Sequence, residues 1–266
     1  MAKTMFIDTS KCTACRGCEV ACKNWNDLSA DIRPFNGSYQ TKEDFATQTY
    51  TFVNMTEVER GSGIDWLFGK RQCMHCTEAA CMMVCPKNAI QRSPQGAVYI
   101  EQDLCIGCGY CVQNCPFGVV KLDTATHKSS KCSLCVSRIE NGLTTACSKT
   151  CPPGAIQFGE REDLLRAAQI RLAQVRRTYP NANLYGNKEC GGTVLYILLD
   201  DPAVYGLPPH GVQVPWQVKF WQNFARPLGN IALGGTALLL LVATWFNFVQ
   251  KPKETDTGAK VEGGVK

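Results

Sequence analysis

Apolar residues return at helical intervals between Glu162 and Thr178, where Leu165, Ala168, Leu172 and Val175 form one stripe and Arg166, Arg171 and Arg176 fall on the outward face. This pattern predicts an amphipathic helix that Tyr179-Pro180 ends. Thr49 to Val58 instead alternates in β-type residues and predicts a strand. Ala89-Ile90, a Gln95-Gly96 turn and Ala97-Val98-Tyr99-Ile100 read as a hairpin. Val194 to Leu199 reads as a buried strand, and Pro202, Pro208, Pro209 and Pro215 then mark an extended, irregular crossing. The expected fold class is α+β.

Gly229 to Val249 carries no charge and is rich in Leu, Ala, Val and Gly, with Trp245, Phe246 and Phe248 near one end. At roughly 1.5 Å per residue such a run spans a hydrocarbon core of about 30 Å, and the aromatic residues suit an interface. The competing reading is a helix buried in a partner protein. Lys251 and Lys253 follow, then a polar tail with Glu254, Asp256, Lys260 and Lys266, expected to be disordered.

Net charge is +5 with a sequence pI of about 8.4, too mild to argue for nucleic acid. The outlier is cysteine, with 17 residues. All but Cys190 fall into four groups: Cys12, Cys15, Cys18 and Cys22; Cys73, Cys76, Cys81 and Cys85; Cys105, Cys108, Cys111 and Cys115; Cys132, Cys135, Cys147 and Cys151. The first and third read Cys-x2-Cys-x2-Cys-x3-Cys, the run used by two-cluster bacterial ferredoxins. The second widens the middle gap to four residues and the fourth widens it to eleven. Pro86, Pro116 and Pro152 follow three of the groups, whereas Lys23 follows the first.

Cysteines two residues apart on a tight loop can converge on corners of one iron–sulfur cube. Gly17, Gly107 and Gly109 suit a close backbone approach to it. The fourth cysteine, expected at a helix start, points elsewhere, and in two-cluster ferredoxins it serves the other cluster. Zinc also binds four thiolates, and Cys132-x2-Cys135 with Cys147 and Cys151 alone could pass for a zinc ribbon. The triplet Cys105, Cys108 and Cys111 with Cys115-Pro116 fits a ferredoxin better. A disulfide framework suits small secreted domains, not a chain of 266 residues with an odd cysteine count.

The predicted hairpin lies between the second and third groups, as between the two motifs of a bacterial ferredoxin. Those groups therefore form one unit. Crossed ligation would join Cys115 to Cys73, Cys76 and Cys81, and Cys85 to Cys105, Cys108 and Cys111. The first and fourth groups are left to pair with each other. Spacing alone leaves ligation in chain order open.

Cys18-Glu19-Val20-Ala21-Cys22 with Trp25-Asn26-Asp27, Cys73-Met74-His75-Cys76, Cys105-Ile106-Gly107-Cys108-Gly109-Tyr110-Cys111, Cys115-Pro116-Phe117, Lys131-Cys132-Ser133-Leu134-Cys135 and Cys151-Pro152-Pro153-Gly154-Ala155-Ile156 resemble the iron–sulfur β subunit of molybdopterin oxidoreductases. Gly191-Gly192-Thr193, Tyr205-Gly206-Leu207-Pro208 and Phe220-Trp221 resemble the branch of membrane-bound respiratory formate dehydrogenase. The resemblance implies two nested ferredoxin-like 2[4Fe–4S] units and a single C-terminal transmembrane helix. The implied clusters are held by Cys12, Cys15, Cys18 and Cys151; by Cys73, Cys76, Cys81 and Cys115; by Cys85, Cys105, Cys108 and Cys111; and by Cys22, Cys132, Cys135 and Cys147. Related nitrate reductases lack one ligand cysteine and one iron, whereas here all the positions are cysteine, so four complete cubanes are implied. The outer unit then comprises residues 1–30 and 116–160, the connecting segment 31–72, and the inserted unit 73–115. Helix, strand and extended connector occupy 161–224, the membrane helix 225–250 and the polar tail 251–266.

By the same resemblance the chain is a non-catalytic electron carrier. It would take electrons from a molybdenum or tungsten pterin catalytic α subunit that oxidises formate, and pass them to a membrane cytochrome b γ subunit and quinone. The alternatives are the equivalent subunit of a polysulfide, thiosulfate, dimethyl sulfoxide or nitrate enzyme, and a zinc-bearing structural membrane tether. Outer-sphere electron transfer needs no general acid or nucleophile, in keeping with only three histidines. His75 between two cysteines reads as packing rather than a ligand; His127 and His210 have no partner visible in the sequence; Cys190 reads as a buried structural thiol at a Gly191-Gly192 turn.

Lys11, Arg16, Lys23, Lys70, Arg71, Lys87, Lys128 and Lys131 lie near the cysteine motifs. Positive charge beside an anionic cubane favours its reduced form, although for most of these side chains the expectation is plain solvation. Lys251, Lys253, Lys260 and Lys266 against Lys219 and Arg226 favour a cytoplasmic tail and a cluster domain on the outer face. Met1-Ala2-Lys3-Thr4-Met5-Phe6 shows neither an apolar signal core nor a twin arginine, so export is expected with a partner that carries the signal. Protease added to spheroplasts should digest the cluster domain; its protection overturns this orientation.

Overall fold

A computed structural model describes residues 3–40, 42–61 and 63–249. The chain divides into a cysteine-bearing unit, Met1–Lys219, and a C-terminal unit, Phe220–Lys266. In chain order the elements are β1 (Lys3–Asp8), α1 (Gly17–Trp25), β2 (Phe52–Arg60), β3 (Gly63–Arg71), α2 (Ala80–Met83), β4 (Ile90–Arg92), β5 (Val98–Ile100), α3 (Tyr110–Gln113), β6 (Lys121–Asp123), β7 (Lys128–Ser130), α4 (Val136–Glu140), α5 (Ala146–Thr150), β8 (Ile156–Glu160), α6 (Arg161–Val175), β9 (Asn183–Tyr185), β10 (Val194–Leu198), α7 (Trp216–Phe220) and α8 (Arg226–Val249).

One four-stranded sheet, ordered β8-β1-β10-β9, closes the cysteine region. β1 enters ahead of the first cysteine and pairs antiparallel with β8, which leaves after the last grouped one. β10 lies parallel to β1. All five residues of β10 are buried, as its unbroken apolar run requires. α6 packs over this sheet through Ala168 and Val175. Three two-stranded hairpins complete the unit: β2–β3, β4–β5 and β6–β7.

Two expectations need correction. The connecting segment supplies a hairpin of two nine-residue strands, β2–β3, in which β3 was not anticipated because Gly63, Asp65, Gly69 and Lys70 break the alternation. On α6, Arg171 does not face solvent. Its Nε donates to Asp8 Oδ2 at 2.9 Å and Nη2 to Ser10 Oγ at 3.0 Å. Asp8 is fully buried at the end of β1 and also accepts the Ser10 N–H, so the arginine neutralises a carboxylate that could not stay buried alone.

α8 has 24 residues, and the apolar stretch that makes it long enough to span a membrane has no residue buried within the protein, whereas Val218 of α7 is buried. Thr236 and Thr244 donate their hydroxyls to the carbonyls of Leu233 and Leu241, both at 2.9 Å, so neither needs water. A π-helical turn at Trp221–Ala225 precedes α8. Pro227 explains it: the ring removes one N–H and crowds the carbonyl four residues back, and widening the turn makes room. Gln250 and the polar tail 251–266 lie outside the described residues.

Asp8→Ala should lower stability by about 2 kcal/mol, read as a lower guanidinium midpoint for loss of tertiary structure. Arg166→Ala, whose partner Asp163 is as exposed as Arg166 itself, should shift it by less than about 0.5 kcal/mol. Equal effects overturn the assignment.

Candidate cluster sites

The four cysteine groups fold into one repeated device. Two residues after the first cysteine of each group the backbone turns left-handed: Ala14 at φ 53°, His75 at 47°, Gly107 at 70° and Leu134 at 56°. This residue bends each Cys-x-x-Cys loop back on itself. A side chain there costs of order 1–2 kcal/mol. At Gly107 the glycine is required, because a Cβ would lie 2.2 Å from the His127 carbonyl oxygen. Gly109 is also left-handed, at 76°, whereas Gly17 is an ordinary first helical residue and shows no such need.

In every group a helix begins one residue before the third cysteine, at Gly17, Ala80, Tyr110 and Ala146. The fourth cysteine follows four residues after the third, so in three groups it stands at or just past the helix end and in the first it lies within α1, not at the helix start expected from the sequence. Pro86, Pro116 and Pro152 stop three of these helices after four or five residues. Lys23 in the proline position lets α1 run on to Trp25. The wide gap in the fourth group accommodates α4.

Four small hollows lie inside this unit, each walled by four cysteines. The first gathers Cys12, Cys15, Cys18 and Cys151. The second gathers Cys73, Cys76, Cys81 and Cys115. The third gathers Cys85, Cys105, Cys108 and Cys111. The fourth gathers Cys22, Cys132, Cys135 and Cys147. Each therefore takes three cysteines from one group and one from another, and none follows chain order. The packing agrees, with α1 against α5 and α2 against α3.

The lining is apolar apart from sulfur and a few donors. Backbone N–H groups of His75, Ala89 and Leu134 donate to the sulfurs of Cys73, Cys85 and Cys132 at 3.2 to 3.4 Å. Asn26 Nδ2 donates to Cys22 Sγ at 3.5 Å. Burial pushes the Cys18, Cys22 and Cys81 thiols up to about 12. Such thiols stay protonated near neutrality unless a metal takes the proton's place. Among the described residues no three Cys, His, Asp or Glu side chains close on a point as a single ion would need. A tetrahedral zinc at roughly 2.3 Å from each sulfur draws the sulfurs to about 3.8 Å of one another. These walls suit a larger body carrying its own sulfide, and the residues present fit a cubane.

Two of the eight nearby basic residues are not solvated. Lys70 and Lys131 are 2 % and 4 % exposed. Lys70 lines both the first and the fourth hollows, while Lys131 lines the second and is followed by Cys132 of the fourth. Burial opposes the charge on Lys70, but the thiolates of Cys147, Cys18 and Cys132 outweigh it and hold the ammonium above its ordinary range. Lys131 is raised in the same way, with Cys73 and Cys81 opposing its burial. Gln72 accepts from Lys70, and the Val98 carbonyl accepts from Lys131.

The histidines part company. His127 is exposed. His210 has partners that the sequence did not reveal, Glu189 at 3.0 Å and Asn183 at 3.1 Å. His75 is fully buried in the wall of the second hollow. Cys190 is buried in a left-handed turn with Gly191, and its thiol donates to the Val212 carbonyl at 3.4 Å. The widened loop of the second group docks on this turn, with Thr77 and Glu78 N–H donating to the carbonyls of Gly191 and Cys190.

Repeated four-cysteine loops around sulfur-lined hollows define an iron–sulfur protein of ferredoxin type, and residues 64–161 match the 4Fe-4S dicluster domain family. The chain is 40 % identical over 239 residues to the formate dehydrogenase iron-sulfur subunit of Haemophilus influenzae, covering 88 % of this chain and 77 % of that one. It is 37 % identical over 249 residues to the formate dehydrogenase-O iron-sulfur subunit of Escherichia coli K12, covering 92 % and 82 %. It is 33 % identical over 214 residues to the formate dehydrogenase 2 subunit beta (cytochrome c-553) of Nitratidesulfovibrio vulgaris, covering 77 % and 97 %. The chain belongs to the formate dehydrogenase iron–sulfur subunit family. It carries [4Fe–4S] clusters and serves electron transfer, with the catalytic step left to a partner subunit.

Proposed function

We infer that the chain carries electrons from formate oxidation through a row of four [4Fe–4S] clusters toward a membrane partner. The observation that carries this reading is the order in which neighbouring residues line neighbouring hollows. α1 supplies Cys18 to the first hollow and Cys22 to the fourth, and Lys70 borders both. Gln72 and Cys132 line the fourth, while Cys73 and Lys131 line the second. α2 and the residues after it supply Cys81 to the second and Cys85 to the third. The row therefore runs first, fourth, second, third. Its outer members include the two exposed cysteines, Cys15 and Cys108.

In this assignment each hollow's four cysteines are the ligands. The second and third hollows belong to a unit of residues 73–115 nested within one of residues 1–30 and 116–160, which holds the first and fourth. When bound, a cubane takes up and releases one electron at a time without bonding to substrate. The protein keeps the middle of the row dry through Met5, Met74, Ala97, Leu134 and Phe117, all buried. It leaves both ends reachable: exposed Val20 lies on the first group's helix, and exposed Ile106 and Tyr110 flank Cys108. A molybdenum or tungsten pterin catalytic subunit would dock at one end and a membrane cytochrome b, passing electrons to quinone, at the other. α8 is the proposed transmembrane anchor in the bilayer, with the cluster unit on the outer face.

Anaerobic co-purification of the complex should give formate-dependent dye reduction and about sixteen irons in this chain, four in each of four cubanes. Zinc in their place, or markedly less iron, overturns the assignment. Lys70→Gln should lower the midpoints of two clusters by roughly 60 mV, one factor of ten in a one-electron equilibrium, and leave the other two unchanged. A shift in one cluster alone would place Lys70 beside only one of them.

A further inference from the structure

His75 occupies the left-handed position that Ala14, Gly107 and Leu134 occupy in the other loops, so the loop itself does not demand an imidazole. Its Nδ1 accepts the Val98 backbone N–H at 3.0 Å. A backbone N–H can only donate, so Nδ1 carries a lone pair and the ring proton sits on Nε2. The backbone that carries the ring is fixed as well: Thr193 Oγ1 donates to the His75 carbonyl at 2.8 Å, and Lys131 clamps Val98 through its carbonyl.

Nε2 is buried and no protein group pairs with it. An unpaired buried donor is expensive, so an acceptor is to be sought in what the ring faces. His75 lines the hollow of Cys73, Cys76, Cys81 and Cys115, where Ala79, Ala80, Val98 and Val119 offer no side-chain acceptor and Lys131 only donates. Sulfur is the one acceptor chemistry on that wall.

Resting on the four-cluster reading, we propose that His75 Nε2–H donates a hydrogen bond to a sulfur of the cluster held by Cys73, Cys76, Cys81 and Cys115, and thereby raises the potential of that cluster alone. A hydrogen bond to sulfur offsets the added negative charge of the reduced state, the same sense in which a buried cation acts but confined to one site. The other two histidines do not compete, since neither lines a hollow.

The test uses the intact complex, reduced stepwise and examined by pulsed EPR, with histidine ¹⁵N-labelled in the imidazole ring alone, because the His75 backbone N–H also meets Cys73 Sγ. One cluster should show coupling to a histidine nitrogen and to an exchangeable proton. In His75→Gln both couplings should vanish and the midpoint of that cluster should fall, with the others unmoved. His75→Asn, a residue that tolerates the left-handed backbone, serves if the glutamine variant does not assemble. Four reduced clusters with no nitrogen coupling overturn the hydrogen bond while leaving the four-cluster reading intact. A complex with no cluster in that hollow overturns both. An unchanged midpoint in the variants overturns the effect on potential.

Discussion

The structure depends on a separation of one helical turn. In each group the third and fourth cysteines stand four residues apart, one turn along or just past a helix that begins beside the third, and they open into different hollows. A helix that serves two hollows cannot be moved without disturbing both. Packing α1 on α5 and α2 on α3 follows from this, because each pair must present crossed fourth cysteines to the other's loop. The β1–β8 pairing then holds together two chain ends more than a hundred residues apart. Clusters held in this way would act as cross-links between distant segments, which a small core built on loops and four-residue helices needs.

Charge is the second constraint, and it follows from the first. Drawing most of these thiols out of water raises the cost of their anionic form, as the upward shifts at Cys18, Cys22 and Cys81 express. Iron removes the protons, but the net charge of each thiolate-bound cubane stays negative. Buried ammonium groups at Lys70 and Lys131 answer this where the hollows of the two proposed units adjoin. The net charge of +5 therefore includes two cations whose partners are internal, which weakens any inference from it about outside partners.

Legibility in the sequence follows from how local each determinant is. The cysteine spacing, the prolines after three groups, the 3.6-residue stripe of α6 and the charge-free run of α8 depend on near neighbours, and the sequence shows them directly. What the sequence concealed depends on distant partners. Arg171 reads as a solvent-facing arginine until Asp8 is placed beneath it. Lys70 reads as a surface lysine until β3 turns it inward. His210 finds Glu189 and Asn183 only once β9 and the Cys190 turn adjoin. The two glycines differ for a related reason. Gly107 and Gly17 look alike in sequence, but only at Gly107 does another segment, His127, press on the backbone. Grouping the cysteines by hollow needed the family resemblance, since spacing alone allowed chain order.

An electron carrier has no substrate to recognise, so its specificity lies in the order of its centres and in which of them meet solvent. The proposed row places Cys15 and Cys108, the two exposed cysteines, at opposite ends, and every cysteine of its two middle members is buried or partly covered. Solvent at a middle member would stabilise the more charged oxidation state there and trap or repel the electron. Exposure at the ends costs less, because a docked partner covers it. The same logic separates His75 from the lysines. Lys70 borders two hollows and biases a junction, whereas a single N–H aimed at one hollow can adjust one member of the row without altering its neighbours.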